Sequence, residues 1–109
     1  MPAVFDKSYI KNIDGPNVKT AATKYDLALA LIKDIEAFKA ANNCNRLVMV
    51  WCASTEKYIE PCEIHQDIKG FEAALKSNDE RIAPSMIYAY AALKLGVPFA
   101  NGAPNLTLD

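Results

Sequence analysis

Few side chains in this sequence carry chemistry, and each must be weighed against an ordinary role. His65 is the single histidine and stands beside Glu63 and Asp67, the composition of an acid–base centre or a metal site. With no second histidine and no suitably spaced cysteine, its expected place is a solvated helix face. Cys44, Cys52 and Cys62 lie eight and ten residues apart, which is not the C-x-x-C of a zinc or redox site. Cys52 ends an apolar run, where a nucleophile could be displayed, but a buried thiol acting as a small hydrophobe is the expected reading. Cys44 and Cys62 have no evident basic partner and read as structural. A cysteine-dependent hydrolase would need a histidine near a cysteine, and His65 is the one available. Glu56 and Glu60 flank Lys57 and Tyr58; paired carboxylates could do general acid–base work, although such a stretch is more often a solvated turn. Met86, Tyr88 and Tyr90 could form an aromatic cofactor platform, but the apolar residues between them favour core.

Cys52-Ala53-Ser54-Thr55-Glu56 stands out. Small residues at the carboxyl end of a strand let a ligand approach the backbone, and hydroxyls and free N–H groups there can bind ribose or pyrophosphate oxygens. A tight strand-to-loop turn has the same composition, and composition alone leaves both readings open.

The elements that must position these residues are legible in outline. Residues 1–19 read as irregular, with turn chemistry at Asp14-Gly15-Pro16-Asn17. Thr23 and Asp26 have the form of a capping box, followed by an apolar stripe of Ala28, Leu31, Ile32, Ile35 and Phe38 and a stop at Asn42-Asn43. Residues 47–53 are apolar throughout, as in a strand covered on both faces in a parallel sheet. A second helix is expected from about Pro61 to Ser77 on the stripe Ile64, Ile68, Phe71 and Leu75. Pro84 should open a third, deeply buried helix that Gly96 closes, with alanines that allow close approach. Residues 97–101 read as a short strand. The order helix, strand, helix, helix, strand implies an α/β layer with parallel pairing.

Bulk properties narrow the function classes. The 109 residues suffice for one domain, with 12 basic and 13 acidic side chains and a net charge of -1. That balance argues against nucleic acid or an anionic membrane as the main partner. The longest apolar-rich run, 85–100, carries Lys94, Gly96 and Pro98 and falls short of the ~20 residues a membrane span needs. No secretory signal is visible at the N-terminus, and the odd cysteine count fits a reduced, cytoplasmic setting. The four glycines, Gly15, Gly70, Gly96 and Gly102, are scattered, so neither G-x-G-x-x-G nor a P-loop can be assembled.

Three linked segments carry a resemblance. They are Val50-Trp51-Cys52-Ala53-Ser54-Thr55-Glu56-Lys57-Tyr58, Ile82-Ala83-Pro84-Ser85-Met86-Ile87-Tyr88 and Gly96-Val97-Pro98-Phe99-Ala100-Asn101-Gly102-Ala103-Pro104. In that order and spacing they resemble the inositol-3-phosphate synthase (myo-inositol-1-phosphate synthase) family. Its pattern is Trp-Thr/Cys-Ala-Asn/Ser-Thr-Glu after a hydrophobic strand, then Ile-Ala-Pro-Ser, then Gly-Val/Cys-Pro-Phe/Tyr-x-Asn-Gly-Ser/Ala-Pro. The likeness spans most of residues 45–105 and covers a middle slice of the family's chain, without its glycine-rich loop or the lysine-bearing catalytic region. The scattered glycines agree with that placement.

The resemblance implies a partial Rossmann-like (doubly wound) α/β layer with mainly parallel strands and three helices, the C-terminal part of an NAD-binding domain ending where a catalytic domain would begin. It implies NAD as cofactor, lined by Cys52, Ala53, Ser54, Thr55, Gly102 and Ala103. Ser54 and Ala103 stand where Asn and Ser are common in the eukaryotic pattern, which loses or shortens a polar contact at each. No catalytic and no metal-binding residue is expected in this slice. The family's reaction is an NAD-dependent isomerisation of glucose 6-phosphate to myo-inositol phosphate, in inositol and phospholipid biosynthesis. In it NAD oxidises a hydroxyl, ring closure follows, and the hydride returns. A cytoplasmic homo-oligomer, the family's tetramer, is implied, with no nucleic acid and no membrane partner. Alone, this chain is expected to be inactive and, with strand edges and apolar faces uncovered, to self-associate. The alternative is a free-standing α/β binding or assembly module without catalytic activity.

Overall fold

The computed structural model describes residues 2–4, 6, 8, 9, 16–53, 55–104 and 107. The expected turn at Asp14-Gly15 and the candidate site residue Ser54 lie outside them.

Helix α1 spans Lys24–Ala41. The Thr23 hydroxyl accepts the Asp26 N–H at 3.2 Å and donates to the Asp26 carboxylate at 3.0 Å, so the first turn is capped as the sequence predicts. Asn42 ends the helix and Asn43 takes a left-handed φ of 51°, a conformation asparagine tolerates better than most residues. Helix α3, Pro84–Lys94, likewise starts on its proline and gives way to Gly96 at φ 68°.

The expected second helix is two pieces. A 3-10 turn covers Glu63–His65, and helix α2 covers Ile68–Lys76. The break falls at Asp67, whose carboxylate accepts the Gly70 N–H at 2.5 Å and so starts a new helix. A capping side chain in mid-stripe competes with the helix backbone and outweighs the periodicity there. Ile68, placed on the stripe by spacing, is 57% exposed as a result, while Ile64 and Leu75 are buried.

Strands β1, Met49–Trp51, and β2, Phe99–Asn101, pair in parallel, with Met49 opposite Phe99 and Trp51 opposite Asn101. The chain crosses between them through α2 and α3, the α/β layer with parallel pairing that the element order implies. Helix α3 is the centre of the molecule: Ile87, Ala89, Tyr90, Ala91 and Ala92 are buried, and its widest contact is with α1. The small side chains bring the two helices close, as expected of them. On the sheet, the Tyr88 ring lies 5.1 Å from that of Trp51.

The expectation of a strand covered on both faces is corrected. Trp51 is buried, but Val48 and Val50 are 67% and 59% exposed. Successive strand residues point to opposite faces, and within this chain one face is covered. The N-terminal segment is more than an irregular appendage. Ala3 forms a parallel bridge with Val18, Val4 and Tyr9 are buried, and the Val4 N–H donates to the Tyr88 hydroxyl at 2.9 Å.

Candidate cofactor site at the strand ends

Beyond the last strand pair, the Gly102 N–H donates to the Trp51 carbonyl at 2.9 Å, adding one rung to the ladder. A Cβ at position 102 would sit 3.0 Å from that same carbonyl oxygen. Close approach of two backbones is what requires glycine there. Cys52 and Gly102 emerge side by side from this rung, both exposed. Ala53 is half-buried and Thr55 exposed. Ala103 is half-buried, and its N–H donates to the Asn101 side chain at 3.0 Å, a local turn that shapes the second loop. Five of the six expected cofactor residues therefore lie in the two loops that leave adjacent parallel strands at their carboxyl ends. Small, accessible side chains there suit a dinucleotide, which needs backbone approach more than bulky contacts.

The first loop is anchored by a residue that the sequence reading left as a solvated turn. Glu56 is 7% exposed and accepts the Ser85 N–H at 2.8 Å and the Ser85 hydroxyl at 2.5 Å. Thr107 Oγ1 in turn donates to Ser85 Oγ at 2.8 Å. The residue before α3 is Ala83, which has no side chain able to cap, and Glu56 supplies the missing acceptor from 29 residues away. That lack of a local cap was the signal available in the sequence. Glu60 is exposed, so the solvated-turn reading holds for it alone.

The cysteine and histidine readings also change. Cys52 is exposed and not a buried hydrophobe, because alternation puts it on the open face with Val48 and Val50. Cys62 does have a basic neighbour: Arg81 Nη1 donates to its sulfur at 3.4 Å, and His65 Nδ1 lies 3.7 Å away. His65 is half-buried, not solvated. Its Nδ1 accepts the Cys62 N–H at 3.1 Å while Nε2–H donates to the Arg81 carbonyl at 3.2 Å, which matches the neutral Nε2–H form. Both ring nitrogens bond to backbone, and Nδ1 is shared with the nearby Cys62 sulfur. Arg81 also binds Asp79 through its backbone N–H and guanidinium at 2.8–3.1 Å. The guanidinium bonds push the Asp79 carboxyl down to about 2.

Met86, Tyr88 and Tyr90 are packed against the core, as expected. The Tyr90 hydroxyl donates to Glu72 at 2.9 Å, and burial with that carboxylate raises its pKa. A groove of about 300 Å³ lies beside α3, lined by residues such as Ile68, Phe71 and Leu93. None of the five described cofactor candidates, Cys52, Ala53, Thr55, Gly102 and Ala103, lines it.

Residues 1–108 match a family model of NAD-binding type described as myo-inositol-1-phosphate synthase. The chain belongs to that family. It is 48% identical over 110 residues to inositol-3-phosphate synthase 1 of Bacteroides thetaiotaomicron, covering all of this chain and 26% of that protein. It is 33% identical to inositol-3-phosphate synthase of Citrus paradisi, over 98% of this chain and 22% of the relative. The fold matches the crystal structure of inositol-3-phosphate synthase from Caenorhabditis elegans with a TM-score of 0.91 at 23% identity, over 99% of this chain and 22% of that one. The chain thus spans about a quarter of the length of the curated relatives it matches. The family model indicates NAD as the cofactor.

Proposed function

We propose that this chain forms the strand-end wall of an NAD pocket in an inositol-3-phosphate synthase, the later part of that protein's Rossmann domain. Cys52, Ala53, Ser54, Thr55, Gly102 and Ala103 line the cofactor in this reading. The observation that carries it is the rung between Gly102 and Trp51, which sets two loops of small residues next to each other at the carboxyl ends of parallel strands. When bound, NAD supplies the hydride chemistry of an isomerisation that ends with the cofactor restored. The chain's own residues hold and orient it: exposed N–H groups and the Thr55 hydroxyl are donors for ribose or phosphate oxygens, and Gly102 leaves room for the ligand to reach the backbone.

The whole protein then converts glucose 6-phosphate to myo-inositol phosphate, feeding inositol and phospholipid biosynthesis, as a cytoplasmic homo-oligomer. The proton-moving lysines implied by the family resemblance fall outside these residues. Calorimetric titration with NAD tests the pocket, and formation of inositol phosphate from glucose 6-phosphate tests the reaction. Saturable NAD binding by the whole protein and no turnover by the isolated 109 residues are the expected results. Turnover by the isolated chain would overturn its reading as one wall of a larger site, and no NAD binding by the whole protein would overturn the pocket.

A further inference from the structure

We infer that Glu56 is a positioning residue of the cofactor loop: by capping α3 through Ser85 it holds Cys52, Ala53 and Thr55, the described residues of the arch between Trp51 and Glu56, in their binding positions without touching the ligand. This rests on the reading that the arch lines NAD.

The arch has two fixed ends. At its start the Trp51 carbonyl is held by Gly102 at 2.9 Å. At its end the Glu56 carboxylate takes both the N–H and the hydroxyl of Ser85, and the next residue, Lys57, donates its N–H to the Tyr9 carbonyl at 3.0 Å. The residues between these anchors are the ones that would line the cofactor.

Burial makes the Glu56 anchor stiff. A carboxylate 7% exposed cannot trade its donors for bulk water without cost. Ser85 is itself 1% exposed and belongs to α3, whose Ile87, Ala91 and Ala92 are locked in the core. The arch is thereby referenced to the rigid helix instead of to solvent. The bond is also a reciprocal one. An α3 that starts at Ala83-Pro84 has no cap of its own, so the helix start and the arch specify each other's place. Thr107 adds a third tie, since its hydroxyl donates to Ser85. Two of the three segments that carry the family resemblance meet at this node through Glu56 and Ser85, and Thr107 joins them.

The test is made in the whole protein that carries these residues, with Glu56→Asp, Ser85→Ala and, as a control remote from the arch, Leu75→Val in the core. Asp keeps the charge and the cap but withdraws the carboxylate by one carbon–carbon bond, about 1.5 Å. It should therefore drag the arch toward α3. Two readouts are taken. The first is NAD itself, where Glu56→Asp should raise KM for NAD by about tenfold or more with a smaller loss in kcat, and Ser85→Ala should act in the same direction more weakly. The second needs no NAD: peptide-resolved alkylation by iodoacetamide, comparing Cys52 in the arch with Cys44 beyond the end of α1. Glu56→Asp should change the Cys52 rate several-fold and leave the Cys44 rate alone, whereas Leu75→Val should move both or neither.

An unchanged ratio of Cys52 to Cys44 alkylation in Glu56→Asp overturns the inference, whatever NAD does. So does a loss of kcat at unchanged KM, the pattern of a smaller folded fraction, or an equal rise in KM in Leu75→Val. Failure of the unsubstituted protein to bind NAD is a different result and overturns the pocket reading beneath it.

Discussion

In the layer formed by α1, α2 and α3, burial decides each position. Leu75, Ile82 and Ile87 are almost wholly enclosed, and the buried Lys24 ammonium donates to the Asp79 and Ile82 carbonyls at 2.7 and 2.9 Å. At the strand ends the terms are reversed. Cys52, Thr55 and Gly102 are small and exposed, and beside them lie a few directional bonds, from Gly102 to Trp51 and from Ser85 to Glu56. One region is held by area removed from water, which is tolerant in direction but costly to reduce. The other carries directional bonds, which contribute less to total stability than to local geometry. Stability and binding shape should therefore be separable by mutation.

The largest expected effect comes from the helical layer. Leu75→Ala should cost about 2–5 kcal/mol in urea denaturation, since the site is fully enclosed. The fraction that remains folded should keep its NAD affinity; a specific loss of affinity would break the separation. Next, Gly102→Ala places a methyl 3.0 Å from a backbone oxygen that cannot swing aside. A loss of about 1–3 kcal/mol is expected, with NAD binding weakened beyond what that loss of stability explains. Equal stability and equal affinity would show that the close approach is not needed.

A smaller effect follows from Asp79, whose pKa is held at about 2 by Arg81 instead of the usual 3.8. A carboxyl with a depressed native pKa adds stability above its ordinary value, and that contribution drains away as pH falls from 3.8 toward about 2. Asp79→Asn should flatten the acid side of a stability–pH curve in that window and leave the strand ends unaffected. The side chain of Arg81 is 41% exposed, so added salt should blunt the slope. The smallest effect on stability belongs to the open sheet face. Val50→Lys should change the unfolding free energy by no more than about 0.5 kcal/mol, because Val50 is already exposed. In light scattering of the isolated chain at micromolar concentration, the same change should reduce self-association. A monodisperse unsubstituted chain would remove the reason to expect association at all.

Legibility in the sequence differed between the same two regions. Helix α1 and helix α3 were readable because their signals are local: Thr23 with Asp26, Pro84 with Gly96, and side chains at steps of three and four. The start of α2 was not, because Asp67 could be read either as a polar position on the stripe or as a cap. The two strand-end loops were legible as a candidate place, from small residues after a strand and from the family resemblance. Their anchoring was not. Glu56 and Ser85 are 29 residues apart, and nothing in the composition near Glu56 distinguishes a buried cap from a solvated turn. Arg81 and Cys62, 19 residues apart, were invisible as a pair for the same reason.

By itself, then, the sequence determined the element order, which implies the parallel pairing, and the caps of α1 and α3, because short-range sterics and hydrogen bonds act between neighbours in the chain. Tertiary structure alone decided which strand face is covered, that Cys52 is exposed, that His65 is tied at both nitrogens, and that Glu56 caps a distant helix. Each of those outcomes depends on burial and on partners far away in sequence, and burial is a property of the packed chain that no local pattern specifies.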